Sequence, residues 1–379
     1  MEKENLLFTP FHVGCLRLKN RITMTPMHLG YANREGAVTE LMLAHYREMA
    51  TSGAALIVVE NAGIAPSGLG SPLMLRADSD SFVEGLTQLS RAIHDAGAVA
   101  FLQLNHAGRY AYGNDRLAPS PVPFRDVIPR EMSQEEIRLT VDAFAAAAVR
   151  TKEAGFDGVE LHGGAGYLLA QFLSPRTNMR EDDYGGSGER RMRFPLEVFE
   201  RVKAAVGDYL IGYRFIVDEF LPRGLNAEGT LPFANELASR GVAYLSTMVG
   251  VLESFQLPAC AELNRIEGGQ SPYAAIIKEK IQGTPVITAG RIQTPETAEM
   301  ILREGRADLI GLARILFADP LWPKKAAGEI AHPIVPCTPT CTLCTRRAFA
   351  PKPAMCSRWE RDRRRAFLED LGEEETDAE

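Results

Sequence analysis

The sequence predicts a closed parallel (β/α)8 barrel, a TIM barrel, followed by a C-terminal cysteine-rich extension. Three observations carry this reading. Short apolar runs of about four to eight residues alternate eight times with helical patterns of about ten to twenty, which is the mark of βαβ units on a parallel sheet. The C-terminal ends of the runs collect histidines, amides and arginines, and that end of a barrel carries the chemistry. No G-x-G-x-x-G follows the first strand, which weighs against an open doubly wound sheet.

Taken in order, Arg21–Met27 is a first short strand ended by Pro26, and Leu41–Ala50 reads as a helix. Ala55–Val59 is the second strand and runs into a loop over Glu60–Gly70. A helix follows around Phe82–Ala96, then a third strand, Val99–Leu104. After a proline-rich loop, Ser133 and Glu136 form a capping box for a long alanine-rich helix to Ala154. Gly158–Leu161 is the fourth strand. Glu189–Val206 is helical and Leu210–Ile216 is the fifth strand; Asn226–Arg240 is helical and Ala243–Met248 is the sixth. Ser271–Ile281 is helical and Pro285–Ala289 is the seventh strand. Thr294, with Pro295 in the first helical position, opens the next helix. Asp308–Leu312 is the eighth strand, and Pro320–Gly328 the last helix. The expected organisation is a barrel over residues 1–335, a cysteine-rich segment over 336–366 and a disordered acidic tail over 367–379.

With 379 residues, 45% apolar and 24% charged, the chain has ample material for a core. A net charge of -7 argues against general nucleic-acid binding. No apolar run reaches the ~20 residues that span a bilayer, and the N-terminus lacks the apolar core of a secretory signal. A cytoplasmic enzyme of small molecules, with no membrane partner, is the expectation; homo-oligomerisation stays open.

The chain is organised around Gly158–Arg193, which starts apolar and turns glycine-rich. His162 and Tyr167 lie five residues apart, separated by Gly163, Gly164, Ala165 and Gly166. Helices lose stability at each glycine, so this is a strand end feeding a loop with two proton-handling side chains. A histidine and a tyrosine packed beside a turn is the bland alternative. Gly290 and Arg291 follow strand seven, and Ala313 and Arg314 follow strand eight. Barrels commonly hold phosphate there.

These residues resemble the old yellow enzyme family of FMN-dependent oxidoreductases. The resemblance rests on KNRITMTPMHLG, LIVVENAGIAPSG, FLQLNHAGR, the central HGGAGYLLAQFLSPRTNMREDDYGGS, and ADLIGLAR with ADPLWP, and covers roughly residues 5–335. Met27-His28 and the Ala313-Arg314 ending are closer to the 2,4-dienoyl-CoA reductase and trimethylamine dehydrogenase branch. The resemblance implies FMN lined by Thr25, Pro26, Met27, His28 and Asn61. Gln103 is implied at the pyrimidine edge, Arg214 beside N1 and O2, and Gly290, Arg291, Ala313 and Arg314 at the phosphate. NAD(P)H is the implied reductant. His162 corresponds to a residue that polarises a substrate carbonyl, and Tyr167 to the proton donor. The second polarising position, His, Asn or Glu in relatives, is Ala165, unless His28 or His106 supplies that contact.

Cys337, Cys341, Cys344 and Cys356 are spaced Cys-x3-Cys-x2-Cys-x11-Cys. By resemblance they are the ligands of a [4Fe–4S] cluster; unliganded thiols and a zinc site are the alternatives. The first gap, Thr338-Pro339-Thr340, is one residue longer than in the relatives. Those relatives continue into FAD- and NAD-binding domains, whereas this sequence carries no second dinucleotide motif. Electrons from a cluster are therefore expected to cross to an electron-transfer protein or another subunit. The leading expectation is reduction of an α,β-unsaturated small molecule, driven by NAD(P)H or a partner protein. Oxidative demethylation or dehydrogenation of an amine through the cluster is the alternative, and a non-catalytic flavin-binding barrel a third.

Overall fold

A computed structural model describes residues 5–338 and 340–373. Two short strands, β1 (Phe11–Val13) and β2 (Leu16–Leu18), pair as an antiparallel hairpin. The barrel strands are then β3 (Ile22–Met24), β4 (Leu56–Gly63), β5 (Val99–Asn105), β8 (Gly158–Gly163), β9 (Leu210–Asp218), β10 (Tyr244–Val249), β11 (Val286–Thr288) and β12 (Leu309–Leu312). They close in the order β10-β11-β12-β3-β4-β5-β8-β9, all parallel. Between β5 and β8 lies a two-stranded parallel pair, β6 (Leu117–Ala118) with β7 (Arg130–Glu131).

The helices around the barrel are α1 (Glu40–Thr51), α2 (Val83–Asp95), α3 (Gln134–Glu153), α5 (Gly188–Val206), α6 (Ala227–Ser239), α8 (Ser271–Lys280) and α9 (Pro295–Arg303). Their starts are fixed by side chains that satisfy free backbone N–H groups. Thr39 caps α1, Ser187 caps α5, Asn226 caps α6 and Thr294 caps α9. Ser133 and Glu136 form the expected reciprocal capping box on α3. Short helices α4 (Leu168–Leu173), α7 (Pro258–Leu263), α10 (Arg314–Ala318) and α11 (Trp322–Ala326) follow barrel strands or lie in the loops between them.

All eight expected strands are present. The first is shorter than the reading of Arg21–Met27: pairing stops at Met24, and Thr25 hydrogen-bonds Leu312 as the chain turns into the mouth. The last helix, expected over Pro320–Gly328, is confined to α11.

Inward-facing positions change character along the strands. At the N-terminal end, Leu56, Val58, Phe101, Tyr244, Ile287 and Leu309 form an apolar plug with Val13 and Leu18 of the hairpin. At the C-terminal end the same faces carry Glu60, Gln103, Glu160, Arg214 and Ser246, all on barrel strands. Side chains alternate with period two along a strand, so Leu56, Val58 and Glu60 share one face.

Beyond the barrel, α12 (Leu343–Phe349) and α13 (Arg361–Asp370) form the extension. It is stitched to the mouth by Ala354 N–H on Leu29 O at 2.7 Å, Tyr31 Oη on Ala354 O at 2.8 Å, and Trp359 Nε1 on Phe317 O at 2.7 Å. The expected boundary at 366/367 falls inside α13. Phe367 packs on Tyr31 and Trp359 and Leu368 is buried, so the helix continues to Asp370. Residues 374–379 of the expected acidic tail, and Pro339 of the lengthened cysteine gap, lie outside the described residues.

Candidate active site at the barrel mouth

The strand register sets the site in levels. Gln103 pairs with Glu160 across β5 and β8; His162 pairs with Arg214 across β8 and β9, and Arg214 with Ser246 across β9 and β10. In the deeper level Gln103 Nε2 donates to Glu160 Oε1 at 2.6 Å. Burial raises the Glu160 carboxyl above its ordinary range, and the Arg214 charge opposes this. Arg214 donates from Nη1 to Ser246 Oγ at 2.6 Å. Burial lowers its pKa, against the pull of Glu160.

One level higher, His162 and Tyr167 meet edge-to-face, their ring centroids 4.8 Å apart at 76°. Burial, and secondarily the Arg214 charge, pushes the His162 imidazole down to about 3. Burial pushes the Tyr167 phenol up to about 12. At neutral pH the pair is thus a neutral imidazole and a protonated phenol. The connecting loop needs its small residues. Gly166 has φ +80°, in the left-handed region that glycine enters freely. A Cβ on Gly164 would press on Met248 Sδ and Arg214 Cγ. Ala165 sits at φ 54°, left-handed backbone that alanine rarely adopts.

A cavity of about 270 Å³ opens from this point. Met27, His28, Asn61, Tyr167, Tyr112 and Phe349 are among the residues that line it; His162 and Arg214 are not. Asn61 reaches it because β4 shifts register between Val59 and Ala62. His28 donates from or accepts at Nδ1 to Glu60 Oε2 at 3.0 Å, while Glu60 Oε2 also accepts from Leu29 N–H at 2.7 Å. His28 Nε2 is buried without a partner. His106 is differently placed: its Nδ1 accepts from Gly108 N–H at 3.1 Å and its Nε2 faces Ser67 Oγ at 3.4 Å. It does not line the cavity, so of the two histidines only His28 reaches the space beside Ala165's loop.

Gly290 and Arg291 follow β11, and Ala313 and Arg314 follow β12. Gly290 has φ +114°, and Arg291 φ 55°. Among the described residues neither Arg291 nor Arg314 has a hydrogen-bond or ion-pair partner, and both charges act on Cys337. A second, small cavity beside them is lined by Arg314 and by the thiols of Cys337, Cys341, Cys344 and Cys356. Burial raises the Cys337 thiol, and pushes Cys356 up to about 11. Among the described residues, no three His, Cys, Asp or Glu side chains converge on a single-ion site. Cys344 lines both cavities.

Sequence reasoning missed Glu160, Ser246 and the walls contributed by Tyr112 and α12. Glu160 was legible: a carboxylate in an apolar strand, on the same face as His162. Tyr112 and Phe349 carried no local signal, because only the fold brings them to one mouth.

A model of the family described as NADH:flavin oxidoreductase / NADH oxidase matches residues 6–332. The chain is 45% identical over 329 residues to an NADH oxidase of Thermoanaerobacter brockii, covering 84% of this chain and 50% of that protein. It is 42% identical over 359 residues to a metal reductase of Desulforamulus reducens, covering 93% and 53%. Among solved structures, a 2-naphthoyl-CoA reductase in complex with 2-naphthoyl-CoA superposes with a TM-score of 0.90 at 28% identity, over 94% of this chain and 57% of that one. The chain thus spans about half the length of the curated relatives it matches.

Proposed function

The chain belongs to the NADH:flavin oxidoreductase / NADH oxidase family, and on that premise we propose that its barrel mouth holds FMN and reduces an α,β-unsaturated small organic substrate, with NAD(P)H or a partner protein as electron source. The observation that carries this reading is the His162–Tyr167 pair above Arg214: a neutral imidazole, a protonated phenol and a fixed cation at one strand end.

The donor set suits the flavin. Arg291 and Arg314 are uncommitted cations for a phosphate, beside Gly290 and Ala313. Thr25, Pro26, Met27, His28 and Asn61 offer a wall to a flat ring, and His28 Nε2 is a buried group still lacking a partner. Gln103 and Arg214 supply a carboxamide and a cation to its polar edge. When bound, FMN supplies hydride transfer through N5. Arg214 would hold a fixed positive charge at that edge, without reorganisation. His162 offers a hydrogen bond to a substrate carbonyl, and Tyr167 holds the proton destined for the neighbouring carbon.

Tyr167→Phe tests this. With an enone such as 2-cyclohexenone, the oxidative half-reaction is expected to slow about 100-fold, within the usual range for a general acid, while reduction by NAD(P)H is nearly unchanged. Equal slowing of both halves would mean that Tyr167 binds or packs instead of donating.

The spacing of the four cysteines and the one cavity they line support a [4Fe–4S] cluster as the reading to test, with zinc as the alternative. Protein reconstituted anaerobically is expected to carry about four iron and four sulfide per chain. Zinc at one equivalent, or no iron, would reject the cluster and leave the FMN assignment standing.

A further inference from the structure

Two of the large apolar side chains left in water are aromatic, Tyr112 at 64% exposure and Phe349 at 63%, and both line the cavity at the barrel mouth. They come from unrelated parts of the chain. Tyr112 follows β5, its backbone N–H held by Leu69 O at 2.5 Å. Phe349 ends α12, in the cysteine-rich extension. Exposed aromatic faces that share one concave site are a feature of recognition surfaces, because they offer large rigid area at small entropic cost. Met74, Pro72, Ala348 and Pro351 add apolar surface to the lining, Ser71 and Thr345 add hydroxyls, and among the described residues lining the cavity none is Asp, Glu, Lys or Arg. A charged ligand would lose hydration there without gaining a counter-charge.

We propose that Tyr112 and Phe349 are specificity-determining residues that receive the flat face of a neutral aromatic ring, so that the cysteine-rich extension helps choose the substrate. This rests on the reading of the mouth as a substrate site and narrows its substrate class. A cationic amine would meet the same aromatic faces, and binding decides between the two.

The test is equilibrium binding, without turnover, to the full chain saturated with FMN in the absence of NAD(P)H. Coumarin serves as the neutral flat probe, coumarin-3-carboxylate as the anion, N-methylquinolinium as the cation and 2-cyclohexenone as the neutral ring without an aromatic face. Coumarin is expected to bind about tenfold more tightly than each of the other three. Phe349→Ala and Tyr112→Ala are each expected to weaken coumarin about tenfold, and Phe349→Leu, which keeps apolar area but loses the ring, about threefold. Cyclohexenone affinity is expected to change less than twofold in all three. Both side chains are exposed, and circular dichroism of each variant keeps folding separate from binding. Tighter binding of the cation or anion, or coumarin affinity indifferent to both alanine variants, overturns the proposal. If no enone is turned over while coumarin binding responds as described, the catalytic reading fails and the aromatic clamp stands. Enone turnover without that response overturns the clamp and leaves the catalytic reading standing.

Discussion

At the residue scale the informative position is Ala165. Its backbone is left-handed at φ 54°, a conformation that costs an ordinary L-residue about 1–2 kcal/mol and suits asparagine better. The family resemblance makes this the second substrate-polarising position, and the loop takes its shape here without a hydrogen-bonding side chain. Ala165→Asn is therefore expected to leave stability unchanged or slightly raised. It should also speed the oxidative half-reaction with a carbonyl substrate by roughly 10–100-fold, somewhat below the full worth of one oxyanion donor. A variant that is as slow as the parent with every enone would show that the site does not polarise carbonyls in this way.

At the scale of elements, the hairpin β1–β2 and the extension close opposite ends of the barrel. The hairpin contributes Val13 and Leu18, both about 1% exposed, to the apolar plug. Truncating a buried leucine removes its transfer free energy and leaves a cavity, so Leu18→Ala is expected to cost about 2–5 kcal/mol. The plug and the mouth lie at opposite ends of the strands. The variant's thermal midpoint should therefore fall while its affinity for FMN at low temperature stays within about twofold. A large loss of FMN affinity would show that the two ends are mechanically coupled. The extension is held differently, by polar stitches and an aromatic cluster. Arg363 stacks 4.2 Å above Trp359 and pairs with Glu48 on α1, while Arg347 and Glu373 pair across the extension itself. That anchorage fixes α12 where its residues can face the mouth.

At the scale of the whole molecule, three histidines are buried in neutral form. Burial pushes His45 down to about 3, His106 to about 4 and His162 to about 3. Each pKa is lower in the folded chain than in the unfolded one. The unfolded state therefore takes up protons first as pH falls below about 6.5. The stability these groups contribute is present above that pH and is lost as pH drops toward the folded values. Glu160 and Glu219, whose carboxyls are raised by burial, act in the opposite sense, holding protons in the folded state above the unfolded carboxylate range. His45 isolates the effect, since it packs against Tyr31, Tyr46 and Phe317 and is not among the residues that line the cavity. His45→Gln is expected to flatten the pH dependence of unfolding free energy between pH 6 and 4 by about 1.4 kcal/mol per unit, one proton's worth. Denaturant titrations at several pH values measure it; parallel curves for parent and variant would remove His45 from the account.

The sequence by itself determined the eight strand–helix units, their order, the capping box at Ser133, and the polar residues that end each strand. All of these depend on local period, propensity and spacing, which the chain carries wherever it is read. It also put His162 and Tyr167 on one loop, since five residues cannot separate them far. The tertiary structure alone decided the rest. Whether His28 or His106 reaches the cavity depended on which ring nitrogens neighbouring elements already occupy. That His162 lies beside Arg214 followed from the register between β8 and β9, because a one-residue slip would turn every inward side chain outward. That Tyr112 and Phe349, more than two hundred residues apart in the chain, line one cavity followed from closure of the barrel and docking of the extension on Leu29 and Tyr31. Contacts at such separation leave no periodic trace in either segment, and only the packed fold brings them together.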